Sequence, residues 1–162
     1  MRAEHEAEFV DFLDAASPRL LTSAWMLTGD PGSAEKLVQE ALERVYVRWT
    51  RLRGGHPTAY ARRVMSNLHT DTWRKRRREV LTEAPPEQFG GSEPSSSTVD
   101  LIRALQQLPT RERECVVLRH YLDLSEKDAA DALGVSVGTV KSSTSRGLAG
   151  PRALLLEEET HV

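Results

Sequence analysis

Residues 124–148, LSEKDAADALGVSVGTVKSSTSRGL, decide how the rest of the chain is read. Ser125 is placed to cap a helix with Glu126 in its first turn and Asp128 three residues after the cap, the spacing of a capping box with Asp in the acidic position. Gly134 sits where a left-handed residue ends such a helix, and Ser136 caps a second one about three residues later. Ala129, Ala130, Leu133, Val135, Val137, Val140 and Leu148 supply an inward face, with alanines small enough for a close crossing. The pattern is that of a helix-turn-helix, a unit that sets its second helix into the major groove of DNA. The outward face of that helix carries Gly138, Thr139, Lys141, Ser142, Ser145 and Arg146. Two cations among small hydroxyl side chains suit phosphates and base edges. A plain helical hairpin shares these signals, so the flanking sequence has to separate the two readings.

Bulk composition does not announce a nucleic-acid partner, because the net charge of the 162 residues is only −2. The distribution of charge does. Residues 56–79 hold seven cations against two carboxylates, residues 1–50 hold five against nine, and residues 80–100 hold four carboxylates and no cation. A basic block between acidic ones sets a local field that the sum conceals. The single cysteine, Cys115, excludes an internal disulfide and a cysteine-rich zinc site and reads as a small apolar residue on a helix. The five histidines (5, 56, 69, 120 and 161) are scattered, and no Gly-rich phosphate loop or Ser/His/Asp arrangement at usable spacing appears. Neither an enzyme nor a bound metal or cofactor is therefore expected. The acidic start MRAEHEAEF is unlike a signal peptide and no apolar run reaches membrane-spanning length, so the cytoplasm is the expected compartment.

Taken in order, residues 4–28 have helical spacing of Phe9, Leu13, Leu20, Leu21, Ala24 and Trp25, with a break expected at Ser17-Pro18. Thr28-Gly29-Asp30-Pro31 stops one helix and starts the next, which runs to about residue 52 on a stripe of Ala34, Leu37, Val38, Ala41, Leu42, Val45, Tyr46, Trp49 and Leu52. Its other face shows Gln39, Glu40, Glu43, Arg44 and an out-of-phase apolar residue, Val47, which hints at a partner surface. Pro57 opens a helix over residues 58–78 with a core stripe of Tyr60, Ala61, Val64, Met65 and Leu68. Arg62, Ser66, Thr70 and Trp73 lie along another side, beside Arg63, Asn67 and Arg74. Residues 74–78, RKRRR, exceed the one or two cations that a helix dipole favours, and a polyanion accounts for the excess. Trp73 serves either as an aromatic lid on the core or, with Asn67 and the arginines, as a platform for unpaired bases. Residues 82–98, TEAPPEQFGGSEPSSST, read as a flexible acidic linker. Short helices over 98–107 and 110–122 precede the helix-turn-helix; Gly147, Gly150 and Pro151 are expected to shorten or kink its second helix.

The fold class that follows is all-α: two small helical domains, residues 1–81 and 99–162, joined by residues 82–98. In this order the motifs resemble an extracytoplasmic-function sigma factor of bacterial RNA polymerase, of the actinobacterial type. The resemblance is carried by LVQEAL, AYARRVMSNLHTDTWRKRRR and LPTRERECVVLRHYLDLSEKDAADALGVSVGTVKSSTSRGL, and spans residues 9–149. It implies binding to core RNA polymerase, at the beta-prime clamp and beta subunits, through Gln39, Glu40, Glu43 and Arg44. It implies minus-ten recognition and melting by Arg62, Arg63, Asn67, Thr70, Trp73, Arg74, Arg76 and Arg77, with Asn67 near the flipped-out base. It implies minus-thirty-five reading by Lys141, Ser142, Ser145 and Arg146, with Gly138 and Thr139 presenting helix-terminal amides to phosphate. Family members are often held inactive by an anti-sigma factor. Three departures stand out: Lys36 replaces a usual Asp, Ser143 and Thr144 replace an Arg that would contact phosphate and an apolar residue, and Gly147, Gly150 and Pro151 end the last helix early. The competing reading is a dimeric helix-turn-helix regulator that acts without polymerase, which would need no flexible linker after a melting helix.

Overall fold

The computed structural model describes residues 2–78 and 96–149, with backbone only at residues 73, 74 and 76–78. It is all-α, with no strand among the described residues. The helices are α1 (Ala3–Thr28), α2 (Pro31–Val47), α3 (Trp49–Leu52), α4 (Pro57–Arg78), α5 (Ser96–Gln106), α6 (Thr110–Val116), α7 (Glu126–Leu133) and α8 (Val137–Leu148); a π turn, Val117–Tyr121, extends α6. The expected linker lies outside the described residues except for its last three positions, which already form the first turn of α5. Gly150, Pro151 and the acidic tail also lie outside them.

In the first unit α1 packs on α2 and α2 on α4. The α1–α2 corner is built from local chemistry. Gly29 ends α1 at φ 73°, where a side chain would be strained, and its N–H donates to the Trp25 carbonyl at 2.7 Å. Asp30 Oδ2 then accepts from the Ser33 N–H at 2.8 Å, a cap worth about 1 kcal/mol, with Pro31 in the first turn. Leu37, Val38, Ala41 and Val45 of α2 are buried against Leu20, Ala24 and Leu27 of α1 and Ala61, Met65 and Leu68 of α4.

Two expectations about this unit need correction. Helix α1 does not break at Ser17-Pro18; it runs through Pro18. Pro18 is exposed, as is Asp14, whose carbonyl loses its i+4 donor, so water can satisfy that group while buried Ala16 and Leu20 hold the helix on both sides. Helix α2, in contrast, does not reach residue 52. It tightens at its end, where the Arg48 N–H donates to the Val45 carbonyl, and the chain turns at Arg48 (φ −105°, ψ 12°). The turn inserts Trp49 between Phe9 and Phe12, at centroid distances of 5.2 and 5.4 Å, and Phe9 also meets Tyr46 edge-on at 5.0 Å. Arg53 closes this end with a two-pronged pair to Glu8, Nε to Oε2 at 2.8 Å and Nη2 to Oε1 at 2.7 Å. That hydrogen bonding holds the Glu8 carboxyl below its ordinary range.

The second unit is arranged around α6. Glu114, Cys115, Val116, Val117 and Leu118 are all buried, five consecutive residues that no single helix face can supply. The end of α6 and the start of the π turn are therefore enclosed, with α8 as the main partner of α6 and α5 beside it. The expected helix over 110–122 changes pitch at Val117, and the Leu122 N–H donates to the Val117 carbonyl five residues back at 2.9 Å. Asp123 follows at φ 54°, a conformation Asp tolerates better than most residues.

The two units also touch each other. Helix α7 packs on α4, and α1 meets α5 and the π turn, so one apolar cluster runs through both.

Candidate nucleic-acid interface

The helix-turn-helix forms as its local signals dictate. Ser125 caps α7 by accepting from the Asp128 N–H at 3.0 Å, and Gly134 ends it at φ 68°. Ser136 caps α8 by accepting from the Thr139 N–H at 3.1 Å, and its hydroxyl lies 3.0 Å from that of Thr139. Ala129, Ala130, Leu133 and Val140 are buried, and Val135 and Leu148 pack beside them. Val137 departs from the expected inward set: as the first residue of α8 it precedes the crossing and is exposed.

The six residues expected to read DNA share the outer side of α8. Gly138, Lys141, Ser145 and Arg146 are exposed and Thr139 and Ser142 half-buried, while Val140, Ser143 and Gly147 turn inward. Ser143 therefore does not sit where a phosphate contact would be lost. It is buried beside Cys115 and hydrogen-bonds its thiol. Burial pushes that thiol upward despite the bond, which suits a packing residue rather than a nucleophile. Gly147 does not break α8 either. It lies inside the helix, where a Cβ would come within 2.7 Å of Val116 Cγ2.

On α4 the expected residues divide. Arg63 and Asn67 are exposed. Arg62 is largely covered and its Nη1 lies 3.6 Å from Asp123 Oδ2, just after the π turn. Thr70 is buried, with its hydroxyl donating to the Ser66 carbonyl at 3.1 Å. The side chains of Trp73, Arg74, Arg76 and Arg77 lie outside the described residues. A residue absent from the expected set, His69, is buried on the same side. Its Nε2 lies 3.3 Å from Oε2 of buried Glu114 in α6, at ion-pair distance but off a hydrogen-bond axis. Arg111 Nη1 approaches the other Glu114 oxygen at 3.9 Å. Nothing in the local sequence links positions 69 and 114, since each is a polar residue on an amphipathic helix.

On α2, Gln39, Glu40, Glu43 and Arg44 are all exposed. Gln39 and Glu43 edge a groove of about 870 Å³ between α1 and α2, floored by Phe9, Leu13, Leu21, Val38 and Leu42. Val47 stands at its end, 82% exposed. Lys36 is exposed on the same helix. Among the described residues no cluster of His, Cys, Asp or Glu could hold a metal ion, and no helix is long and apolar enough to cross a membrane.

Residues 12–79 match Sigma-70 region 2, and residues 98–149 match Sigma-70 region 4. The RNA polymerase sigma-E factor of Streptomyces coelicolor is 39% identical over 156 residues, covering 94% of this chain and 88% of that protein. The chain belongs to the extracytoplasmic-function sigma factors. A second relative in that family, the ECF RNA polymerase sigma factor EcfG of Rhodopseudomonas palustris, is 32% identical over 90% of this chain and 83% of its own length. Two solved structures share the fold of this sigma factor. One is RpoE in complex with the anti-sigma factor NepR from Bartonella quintana, with a TM-score of 0.61, 28% identity, and 92% of this chain and 94% of that one covered. The other is CnrH in complex with the cytosolic domain of CnrY, with a TM-score of 0.54, 25% identity, and coverage of 91% and 86%. Both sigma regions occur here in order, which disfavours the reading as a dimeric regulator that acts without polymerase.

Proposed function

We infer that this sigma factor binds core RNA polymerase and directs promoter-specific initiation, with the two readouts divided between its units. Residues 1–81 form the polymerase-binding and strand-melting part, residues 82–98 the tether, and residues 99–162 the upstream reader. The observation that carries this division is the outer side of α8, where Lys141, Ser145 and Arg146 stand exposed beside the capped helix start at Gly138 and Thr139. The amide of Gly138 at the helix start, followed along α8 by the exposed cations, suits phosphate anchoring and then contact to base edges in the minus-thirty-five element. Arg62, Arg63, Asn67, Thr70, Trp73, Arg74, Arg76 and Arg77 act on the minus-ten strand, where extruded bases need both a backbone track and a receiving site.

The polymerase contact falls on Gln39, Glu40, Glu43 and Arg44. Its support is the α1–α2 groove, whose apolar floor and polar rim match the anatomy of a protein interface better than a solvated helix face. The protein works in the cytoplasm and performs no catalysis of its own. An anti-sigma factor is a further partner, as one is for the similar RpoE, whose structure is a complex with the anti-sigma factor NepR. Runoff transcription with purified core polymerase and the full chain on genomic templates is the test. Initiation at discrete sites is the expected result; a chain that binds duplex DNA yet starts no transcript with core enzyme overturns the reading.

A further inference from the structure

Two helices each bring one cation and one hydroxyl to the same cavity. Arg19 and Ser23 lie four residues apart on α1, and Thr58 and Arg62 four apart on α4, so each pair shares a helix side. All four line a cavity of about 220 Å³, which Tyr121 at the end of the π turn and the adjoining Leu122 also border. No carboxylate is among its lining residues. Ser23 is only 5% exposed, yet among the described residues its hydroxyl has no hydrogen-bond partner, and neither has that of Thr58. A buried hydroxyl without a partner is unfavourable, so one that faces a cavity is satisfied by what fills it. The two cations are also underused. Arg19 has no ion pair among the described residues, and Arg62 offers Asp123 a single Nη1 at 3.6 Å out of the five N–H donors of a guanidinium. Phe12 and Tyr121 add two rings, and Leu20 and Leu122 an apolar floor. Water satisfies hydroxyls, but it brings no charge to the guanidiniums and gains nothing from the rings.

We propose that this cavity binds a small phosphate monoester carrying one ring. The phosphate is held between Arg19 and Arg62, with the Ser23 and Thr58 hydroxyls donating to its oxygens, and the ring lies against Phe12 and Tyr121. A phosphate suits this set better than a carboxylate, since it brings close to two charges and three acceptor oxygens to two cations and two hydroxyls. Volume sets the size of the ligand. A dry cavity of about 150 Å³ accepts benzene, and the remainder here admits one anionic group. Drug-sized ligands occupy sites from about 300 Å³ upward and do not fit.

Isothermal titration calorimetry of the full chain with phenyl phosphate tests the site, with inorganic phosphate and benzoate as parallel titrants at one ionic strength. Phenyl phosphate is expected to bind once per chain, and inorganic phosphate, which lacks the ring, about tenfold more weakly. Benzoate is expected to bind more weakly than phenyl phosphate; tighter binding overturns the phosphate assignment. Arg19→Gln is expected to weaken phenyl phosphate about tenfold and Ser23→Ala about fivefold. Neither residue belongs to the proposed DNA or polymerase contacts. Arg19 is exposed and alanine favours a helix more than serine does, so both variants should fold, which circular dichroism checks; either decides if the other does not. Ser23→Ala changes no charge, so its effect separates the cavity from a general attraction of phosphates to a surface arginine. Three results overturn the proposal: no heat of binding up to about 10 mM phenyl phosphate, equal affinity for inorganic phosphate, or an affinity that Ser23→Ala leaves unchanged. Displacement of phenyl phosphate by a mixed-sequence single-stranded DNA at equal phosphate concentration assigns the cavity to a strand and overturns it too.

Discussion

Replacing Gly147 by Ala sets two sizeable effects against each other, and the structure decides the sign. Gly147 lies inside α8, where alanine gains about 1 kcal/mol of helix propensity over glycine. Against this, the new Cβ would stand 2.7 Å from Val116 Cγ2 and 3.4 Å from the Glu112 carbonyl oxygen. Val116 is wholly buried and β-branched, so it has no free rotamer to retreat into, and the carbonyl is backbone. Overpacking of this kind costs about 1–3 kcal/mol, which leaves a net loss of up to about 2 kcal/mol. Urea denaturation of the full chain followed by circular dichroism measures it, with an unchanged m-value as the sign that only stability has moved. A second variant sharpens the test. Val116→Ala in the wild type loses buried methyl groups at about 1.5–3 kcal/mol, but after Gly147→Ala it also relieves the clash. The two changes should therefore couple by at least about 0.5 kcal/mol in the compensating direction. A Gly147→Ala variant more stable by the full propensity gain, with additive behaviour in the double variant, would refute close packing of α6 on α8.

Three further outcomes are expected. Lys141→Ala or Arg146→Ala should change preference among upstream elements by about 1–3 kcal/mol where the side chain is bidentate to guanine; a competition binding assay that finds uniform weakening assigns that residue to phosphate alone. Exchanging Arg74, Arg76 and Arg77 together for Ala should lower the salt-dependence slope of single-strand binding by roughly 2, from three lost phosphate contacts; an unchanged slope returns the cluster to a helix-dipole role. Arg53→Ala should raise the titration midpoint of Glu8 toward the ordinary carboxylate value, followed by NMR. The Glu8 pKa is depressed in the folded chain, so what the pair adds to stability is complete above the ordinary carboxylate range and is lost as pH falls through the depressed value. A midpoint unmoved by the substitution contradicts the two-pronged pair.

What was legible in the sequence was local. Ser125, Gly134 and Ser136 act on backbone groups within three or four residues, so their spacing alone predicts both caps and the turn between them. The stripes of α2 and α4 were legible for a related reason: a helical period places Leu37, Ala41 and Val45, or Ala61, Met65 and Leu68, on one side whatever that side meets. Pro18 escaped this logic because the cost of a missing donor depends on whether the orphaned carbonyl faces water, which is a tertiary fact. Gly147 escaped it because a glycine that ends a helix and one that admits a neighbour are identical in a sequence.

The most consequential loss of legibility is on α4. Arg62, Ser66, His69 and Thr70 form a polar stripe, and a polar stripe on a helix next to a basic run reads as a nucleic-acid face. The same residue types serve equally well against a domain of the same chain that offers carboxylates, because a guanidinium is drawn to a carboxylate and to a phosphate alike. Glu114 lies 45 residues from His69, at the head of five consecutive buried residues that a helical period could not foretell. A stripe that suits two anionic partners names neither by composition. Its neighbours Arg63 and Asn67 stay open while Arg62, His69 and Thr70 are covered, so burial at each position, and not residue type, separates the two uses of the helix.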